Sequence, residues 1–456
     1  MLKQKLILGV APARRDFFSN DVVMANRDAI MKKMREIAPK YDFELVEITG
    51  LTPDDTLSLP AQAKAVCAHF REKGVNALFF PHVNFGMEEA VMRVARTLKL
   101  PTLLWGARDE SPEGYGERDT DTQCGLFATG KALYRAGIPF TYIENCTLDH
   151  KVFEDGFANF LSAAQVVNAF LGSRIAQISV RPSPFLSVMV SESDLFEKFD
   201  ISLVPVPVTT IIDEARKHAE GDAPQLMIKE YEDCDVDLSK MDPQLIENMS
   251  GLEKAIWDYA LENNCTAAVG ECWFAFRDNL GIRPCAVFGN LADHGLPVSC
   301  ENDVHGALGM LMAGAVNRYT EPVFLADLTQ RHPTNDNAEL LWHCGPFPKS
   351  LRKPDSDASI QNAMGYWQLK DGEITLLRFD GCNGEYHLLA GVAKTVDGPE
   401  TNGNYLWVEV NDWPSWEKEL VQGPYIHHII GVYGNHIDAL REAARYIPGL
   451  QFHEMP

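Results

Sequence analysis

The 456-residue chain reads as an α/β protein in which two doubly wound parallel-sheet domains precede a mainly antiparallel β domain. Three observations predict this. The length exceeds what one core supports. Short apolar runs alternate with amphipathic stretches up to about residue 320, the pattern of strands joined by crossover helices. Beyond that point the texture changes to alternating, aromatic-rich runs divided by Gly, Asn and Asp turns, which is the antiparallel signature.

The first domain, 1–173, opens with LILGV as a strand and continues with FELVEI, NALFFP, PTLLWG and PFTYI. Helices are expected between them at 22–39, 57–73, 86–98, 124–136 and 151–172. The second domain, 174–320, carries AQISVR and ISLVPVP, a long amphipathic helix at 243–264, then TAAVGE, RPCAVFG and LPVSCE as strands, and a helix at 304–317 that Asp303 would cap. The third, 321–456, holds EITLLRF, YHLLAGVAK and YLWVEVN as strands and one late helix at 436–447.

Lys+Arg 41 against Asp+Glu 64 gives a formal charge of −23, which repels phosphate backbones and anionic membranes and argues against a nucleic-acid or membrane partner. No run approaches the roughly 20 apolar residues of a membrane helix, and LILGV is too short for a signal-peptide core, so a cytoplasmic location is expected. The ten cysteines contain no CxxC, which argues against structural zinc. Cys272 and Cys300 adjoin two notable carboxylates, the pair that a cofactor-independent racemase or epimerase would want.

Those carboxylates, Glu271 in AAVGECW and Asp303 in VSCENDVHG, follow predicted strand ends, where α/β proteins place their chemistry. With one of the paired His427 and His428, they form an oxygen-rich set suited to a hard divalent ion, Mn²⁺ or Mg²⁺, rather than zinc. Blander readings stand beside these. Glu271 equally fits an N-terminal charge on the segment 272–280, Asp303 a helix cap, and His305 a helix surface. In a strand, His427 and His428 would face opposite sides, so one alone would reach a given site. Arg14 and Arg15 follow the first strand, where they suit an anionic or polyhydroxyl ligand or a solvated ion pair; Trp105 suits a sugar face or a core. Dinucleotide, P-loop and hydrolase-elbow patterns are absent, as is HEXXH.

The segments APARRDFFSND, GECW, PVSCENDVHGALGMLM, ADLT…LLWHCGPFP and IHHIIGVYGNHIDALREAARYIPG occur in the order found in the L-fucose/L-arabinose isomerase family, and the chain resembles its shorter, fucose-isomerase-related branch. The resemblance implies a metal-dependent aldose–ketose isomerase working through a cis-enediolate, and a homo-oligomer, often a hexamer, with pockets completed by a neighbour's first domain. It implies Mn²⁺, or another divalent ion such as Mg²⁺ or Co²⁺, held by Glu271, Asp303 and His428, with Glu271 and Asp303 exchanging the proton between C2 and C1. Arg14, Arg15 and Trp105 would touch the sugar, and His427, Asn302 and Tyr425 are further substrate-binding candidates. The substrate would be a pentose, hexose, deoxyhexose or a hexose with a sulfo or phospho group at C6. A non-catalytic sugar-binding protein on the same α/β halves is the alternative of a different class.

Overall fold

The computed structural model describes residues 4–16, 20–109, 118, 120–219 and 221–456. The chain divides into two compact units, Gln4–Asn168 and Ala169–Pro456.

The first unit alternates β1 (Ile7–Val10), α1 (Asn20–Ile37), β2 (Glu44–Glu47), α2 (Ala63–Glu72), β3 (Ala77–His82), α3 (Glu88–Leu98), β4 (Thr102–Gly106), α4 (Thr122–Arg135), β5 (Thr141–Tyr142) and α5 (Lys151–Phe170). All strands are parallel in the order β2-β1-β3-β4-β5, the doubly wound arrangement expected from the alternation. β3 and β4 are buried on both faces, so they read as continuous apolar runs. Successive side chains enter opposite cores: Phe79, Leu103 and Trp105 one, Leu78, Phe80 and Leu104 the other.

The second unit begins with β6 (Arg174–Ile178), α6 (Glu192–Phe199), β7 (Ser202–Val206), α7 (Val208–His218), α8 (Ala223–Glu232), α9 (Pro243–Glu262), β8 (Ala267–Gly270), α10 (Ala275–Leu280), α11 (Cys285–Asp293), β9 (Val298–Ser299) and α12 (Val304–Val316). Its sheet is parallel, ordered β7-β6-β8-β9. RPCAVFG, expected as a strand, opens α11 instead. Every residue from Cys285 to Ala292 is buried, and a short apolar run buried on all sides has no period to separate helix from strand. The 304–317 helix exists as α12, buried along almost its whole length against later strands.

The remaining chain forms β10 (Phe324–Arg331), β11 (Ala338–His343), β12 (Ser359–Gln361), β13 (Met364–Gln368), β14 (Glu373–Cys382), β15 (Glu385–Thr395), β16 (Asn404–Glu409), α13 (Trp413–Gln422), β17 (His428–Tyr433), α14 (Ile437–Ala444) and β18 (Leu450–Met455). They make one sheet, β12-β13-β16-β11-β10-β17-β14-β15-β18, and an added β15–β16 pairing closes six strands into a barrel. Most pairings are antiparallel, as expected; β13–β16 and β15–β18 run parallel. α13 is an addition to the single late helix expected, started by Asp412, whose side chain accepts from Ser415 N at 3.3 Å. No helix among the described residues is long and apolar enough to cross a membrane.

Candidate active site

β8 and β9 deliver their C-terminal ends to the same edge of the parallel sheet, and β10, β14 and β17 of the barrel pack there through α12. After β9 the backbone turns left-handed at two consecutive non-glycine residues, Glu301 (φ 55°) and Asn302 (φ 57°). Each costs on the order of 1 kcal/mol, and such strain persists where a side chain must be aimed. It buries Glu301, with Oε1 accepting from Cys272 Sγ at 3.2 Å and Trp273 Nε1 at 3.1 Å. Oε2 has no hydrogen-bond partner among the described residues.

Asp303 is wholly buried and its two oxygens accept four hydrogen bonds. Oδ1 takes Gly306 N at 2.9 Å and Arg378 Nη2 at 3.1 Å; Oδ2 takes Arg378 Nη1 at 2.5 Å and His428 Nδ1 at 2.8 Å. Burial would raise the Asp303 pKa, but the Arg378 guanidinium and His428 hold it far below the usual range. The expectation of Asp303 as metal ligand and proton carrier therefore meets a carboxylate with no lone pair left over. It caps α12, as the blander reading had it, and it also orients His428. Gly306 keeps this arrangement open, since a Cβ there would stand 2.5 Å from Asp303 Oδ2.

Arg378 and Asp380, two apart on β14, share a face. Arg378, fully buried, also donates to Asp380 Oδ2 from Nε at 2.9 Å. Asp380 Oδ1 accepts from His305 Nδ1 at 2.9 Å. His305 is thus a buried member of the network, 2% exposed, and not the helix-surface residue expected. A chain of ionic contacts runs His305–Asp380–Arg378–Asp303–His428.

Because Asp303 only accepts, His428 Nδ1 carries a proton, and in the neutral ring Nε2 presents a lone pair. Nε2 lies 3.5 Å from Asp327 Oδ1 and 3.8 Å from Glu301 Oε2. Asp327 stands directly opposite His428 in the β10–β17 ladder, which explains the proximity, and its Oδ1 is buried without a hydrogen-bond partner among the described residues. The strand alternation expected of His427 and His428 fails because β17 starts at His428. Both rings approach Asp327, with His427 Nε2 at 3.9 Å, and their centroids are 4.7 Å apart.

Glu271 does follow β8, but its carboxylate accepts from Trp273 N at 2.8 Å, Phe274 N at 3.1 Å and Ala275 N at 2.9 Å. It is the N-terminal charge of the 273–280 segment, the second of its two readings, and it fixes the loop that carries Trp273. Phe185 stacks beside Trp273 (6.0 Å, 24°) and His427 (5.7 Å, 25°), forming an aromatic wall next to His428. Trp273 is 38% exposed, so this wall is open to a ligand.

Other candidates are tied elsewhere. Trp105, proposed for sugar contact, is fully buried in the first unit's core 4.6 Å from Phe153. Arg14 is buried and pairs with Asp54 at 2.8 Å; Arg15 Nε donates to Gly86 O and its guanidinium covers Phe85. Asn302 Nδ2 donates to Ile178 O at 3.0 Å, its Oδ1 has no hydrogen-bond partner among the described residues, and the Tyr425 hydroxyl bonds His453 Nδ1 at 3.1 Å. The sulfurs of Cys272 and Cys300 lie within 4.8 Å of each other, and both residues are buried. Two-thiol racemisation needs the sulfurs on opposite sides of a carbon, and this pair leaves no room for one.

Glu301, Asp327, Arg378, Phe185 and Trp273 are what sequence reasoning left without a role. Trp273 sits in GECW, Glu301 in CENDVH and Asp327 in ADLT, all segments already singled out; nothing local marks Phe185 or Arg378.

Residues 9–171 match the family model for the fucose/sulfoquinovose isomerase N-terminal domain. The chain is 23% identical over 412 residues to the sulfoquinovose isomerases of Priestia aryabhattai and Priestia megaterium, an alignment covering 88% of this chain and 90% of each relative. It is 22% identical over 381 residues to that of Alkalicoccus urumqiensis, covering 81% and 84%. Residues 9–171 thus carry the fucose/sulfoquinovose isomerase N-terminal domain, and the chain as a whole is similar to sulfoquinovose isomerases over most of its length.

Proposed function

We propose that the protein is an aldose–ketose isomerase acting on the open-chain form of a sugar with a sulfonate at C6. The reading rests on the likeness to sulfoquinovose isomerases over about nine-tenths of their length, together with buried carboxylate oxygens grouped around one imidazole. Those oxygens, Glu301 Oε2 and Asp327 Oδ1, lack partners among the described residues and lie within 4 Å of His428 Nε2. A cation would satisfy all three, and two carboxylates with one imidazole suit Mn²⁺, Mg²⁺ or Co²⁺ better than zinc. Glu301, Asp327 and His428 are therefore the residues we assign to hold it, in place of Glu271 and Asp303. When bound, the ion would polarise the substrate's carbonyl and adjacent hydroxyl.

The protein's own groups supply the rest. Glu301, aimed by its left-handed backbone, is the carboxylate we assign to take the proton from C2 and return it to C1 across the planar enediolate. The Phe185, Trp273 and His427 wall covers the apolar face of the extended chain and excludes water from the intermediate. Asp303, held by Arg378, keeps His428 in one tautomer and one orientation.

The test is ketose formation by purified protein with Mn²⁺ over sulfoquinovose, glucose 6-phosphate, fucose, arabinose and glucose, with and without a chelator. Turnover of sulfoquinovose that a chelator abolishes and Mn²⁺ restores is the expected result. Turnover of uncharged sugars alone would remove the sulfonate from the reading, and chelator-resistant turnover would remove the ion.

A further inference from the structure

The structure holds a second pair of thiols that the proposed reaction does not use. Cys285 is the first residue of α11 and Cys344 directly follows β11, 59 positions later, yet their sulfurs are 3.2 Å apart, closer than ordinary van der Waals contact. Cys285 is buried, whereas Cys344 is partly open to solvent. His343 adjoins the pair: its Nδ1 lies 3.3 Å from Cys344 Sγ and accepts from Cys344 N at 2.9 Å.

The two sulfurs differ in character. The hydrogen bond from Cys285 draws Cys344 below the usual thiol range against the opposing effect of burial. The same hydrogen bond, with burial, pushes Cys285 upward. One sulfur belongs to a residue partly open to solvent and the other is buried within bonding reach of it, the arrangement in which oxidation of the first can be resolved by the second. Cys272 and Cys300 lack this asymmetry. Both are shut away from solvent.

We propose that Cys285 and Cys344 form a peroxide-responsive site, with Cys344 the sulfur that peroxide oxidises first and Cys285 the resolving thiol that closes a disulfide between α11 and the loop after β11. In the first step Cys344 sulfur bonds one oxygen of hydrogen peroxide and the O–O bond breaks. The sulfur loses two electrons, the peroxide is reduced, and the departing hydroxide takes a proton to become water. In the second step the Cys285 sulfur attacks the sulfenic sulfur, the S–S bond forms, the S–O bond breaks, and the hydroxyl leaves as water with the Cys285 proton. A dithiol reductant reverses the change.

The experiment treats the reduced full-length protein with hydrogen peroxide, counts free thiols under denaturing conditions and maps peptides without reduction. Wild type should lose two thiols and yield one cross-linked peptide joining Cys285 to Cys344, restored by dithiothreitol. C285S should trap Cys344 as the sulfenic acid, captured by dimedone, and C344S should give neither product. The wild-type peptide map carries the decision even where a variant fails to fold. A Cys272–Cys300 cross-link, or oxidation confined to the exposed Cys124 and Cys382 while Cys285 and Cys344 stay reduced, would overturn the proposal.

Discussion

Asp303→Asn separates the two roles open to this carboxylate. If Asp303 exchanged the substrate proton or bound the ion itself, its amide would lose activity by several orders of magnitude at any ion concentration. The geometry instead has it act through His428, whose Nδ1 it holds at 2.8 Å, and partners of that kind are worth roughly 10–100-fold in metal affinity. The expected result is a 10–100-fold weaker Mn²⁺ affinity by calorimetry, with much of the turnover recovered at excess Mn²⁺. Stability must fall in parallel. The substitution turns one lone pair facing Arg378 into an N–H and leaves the guanidinium, fully buried, with Asp380 as its sole anion at bonding distance among the described residues. Breaking a buried pair costs about 3–5 kcal/mol. For a cooperative unit spanning 169–456, with unfolding entropy near ~2 cal/mol/K per residue, that is a drop in Tm of roughly 5–8 °C. Glu301→Gln, assayed beside it, should remove turnover by about a thousandfold or more at saturating Mn²⁺ while leaving Tm unchanged or raised. A dead Asp303→Asn with normal Mn²⁺ affinity, next to a nearly active Glu301→Gln, would refute the assignment and restore Asp303 to the chemistry.

Phe185→Ala should raise KM for the sugar more than it lowers kcat, because the ring lines the wall without reaching the His428 nitrogens; steady-state kinetics with an unchanged KM would remove the wall from the site. His294 is clamped at 3.1 Å from Glu230 and 3.0 Å from Glu253, and these carboxylates raise it to about 9. Its folded pKa lies above its unfolded one, so the clamp stabilises fully below about pH 6.5 and is lost as pH rises through about 9; His294→Gln should flatten that limb of the Tm-against-pH curve, and parallel curves would contradict it. Glu339, raised to about 7 by burial, gives a limb of the same sign in a lower window: stability falls as pH climbs from about 4.5 to 7, where the unfolded carboxyl ionises and the folded one does not. Glu339→Gln should therefore raise Tm at pH 8 and leave it nearly unchanged at pH 4, read by calorimetry. Trp105→Ala, which empties a core position, should cost about 3–5 kcal/mol in the first unit; an unaffected Tm would mean the ring is not packed as described.

The fold was legible where the pattern had one physical cause. Strand-helix alternation can close only as parallel sheets with covered faces, and both such sheets were found. It failed at Cys285–Asp293, where burial on all sides erases the period that separates helix from strand. The site was legible as a place and not as an assignment. Strand ends led to CENDVH and to His428, and His428 is indeed among the buried groups gathered there. Which carboxylate stays free was decided by Arg378, a residue 75 positions from Asp303 and unremarkable in EITLLRF.

Arg378 also explains why a buried cluster this acidic can exist. Glu301, Asp303, Asp327 and Asp380 all lie around the Arg378–His428 network, and like charges gathered so closely need a compensating cation. One guanidinium fork is bonded to both Asp303 and Asp380, and against the opposing effect of burial it lowers Asp380 from its ordinary value. Glu301 and Asp327 are left without a fixed cation. That imbalance is confined to the side of His428 that carries Nε2, while the carboxylates on the Nδ1 side are both paired to Arg378. A site built to bind a divalent ion needs this asymmetry: compensated anions behind the imidazole to set its tautomer, uncompensated ones in front of it to attract charge.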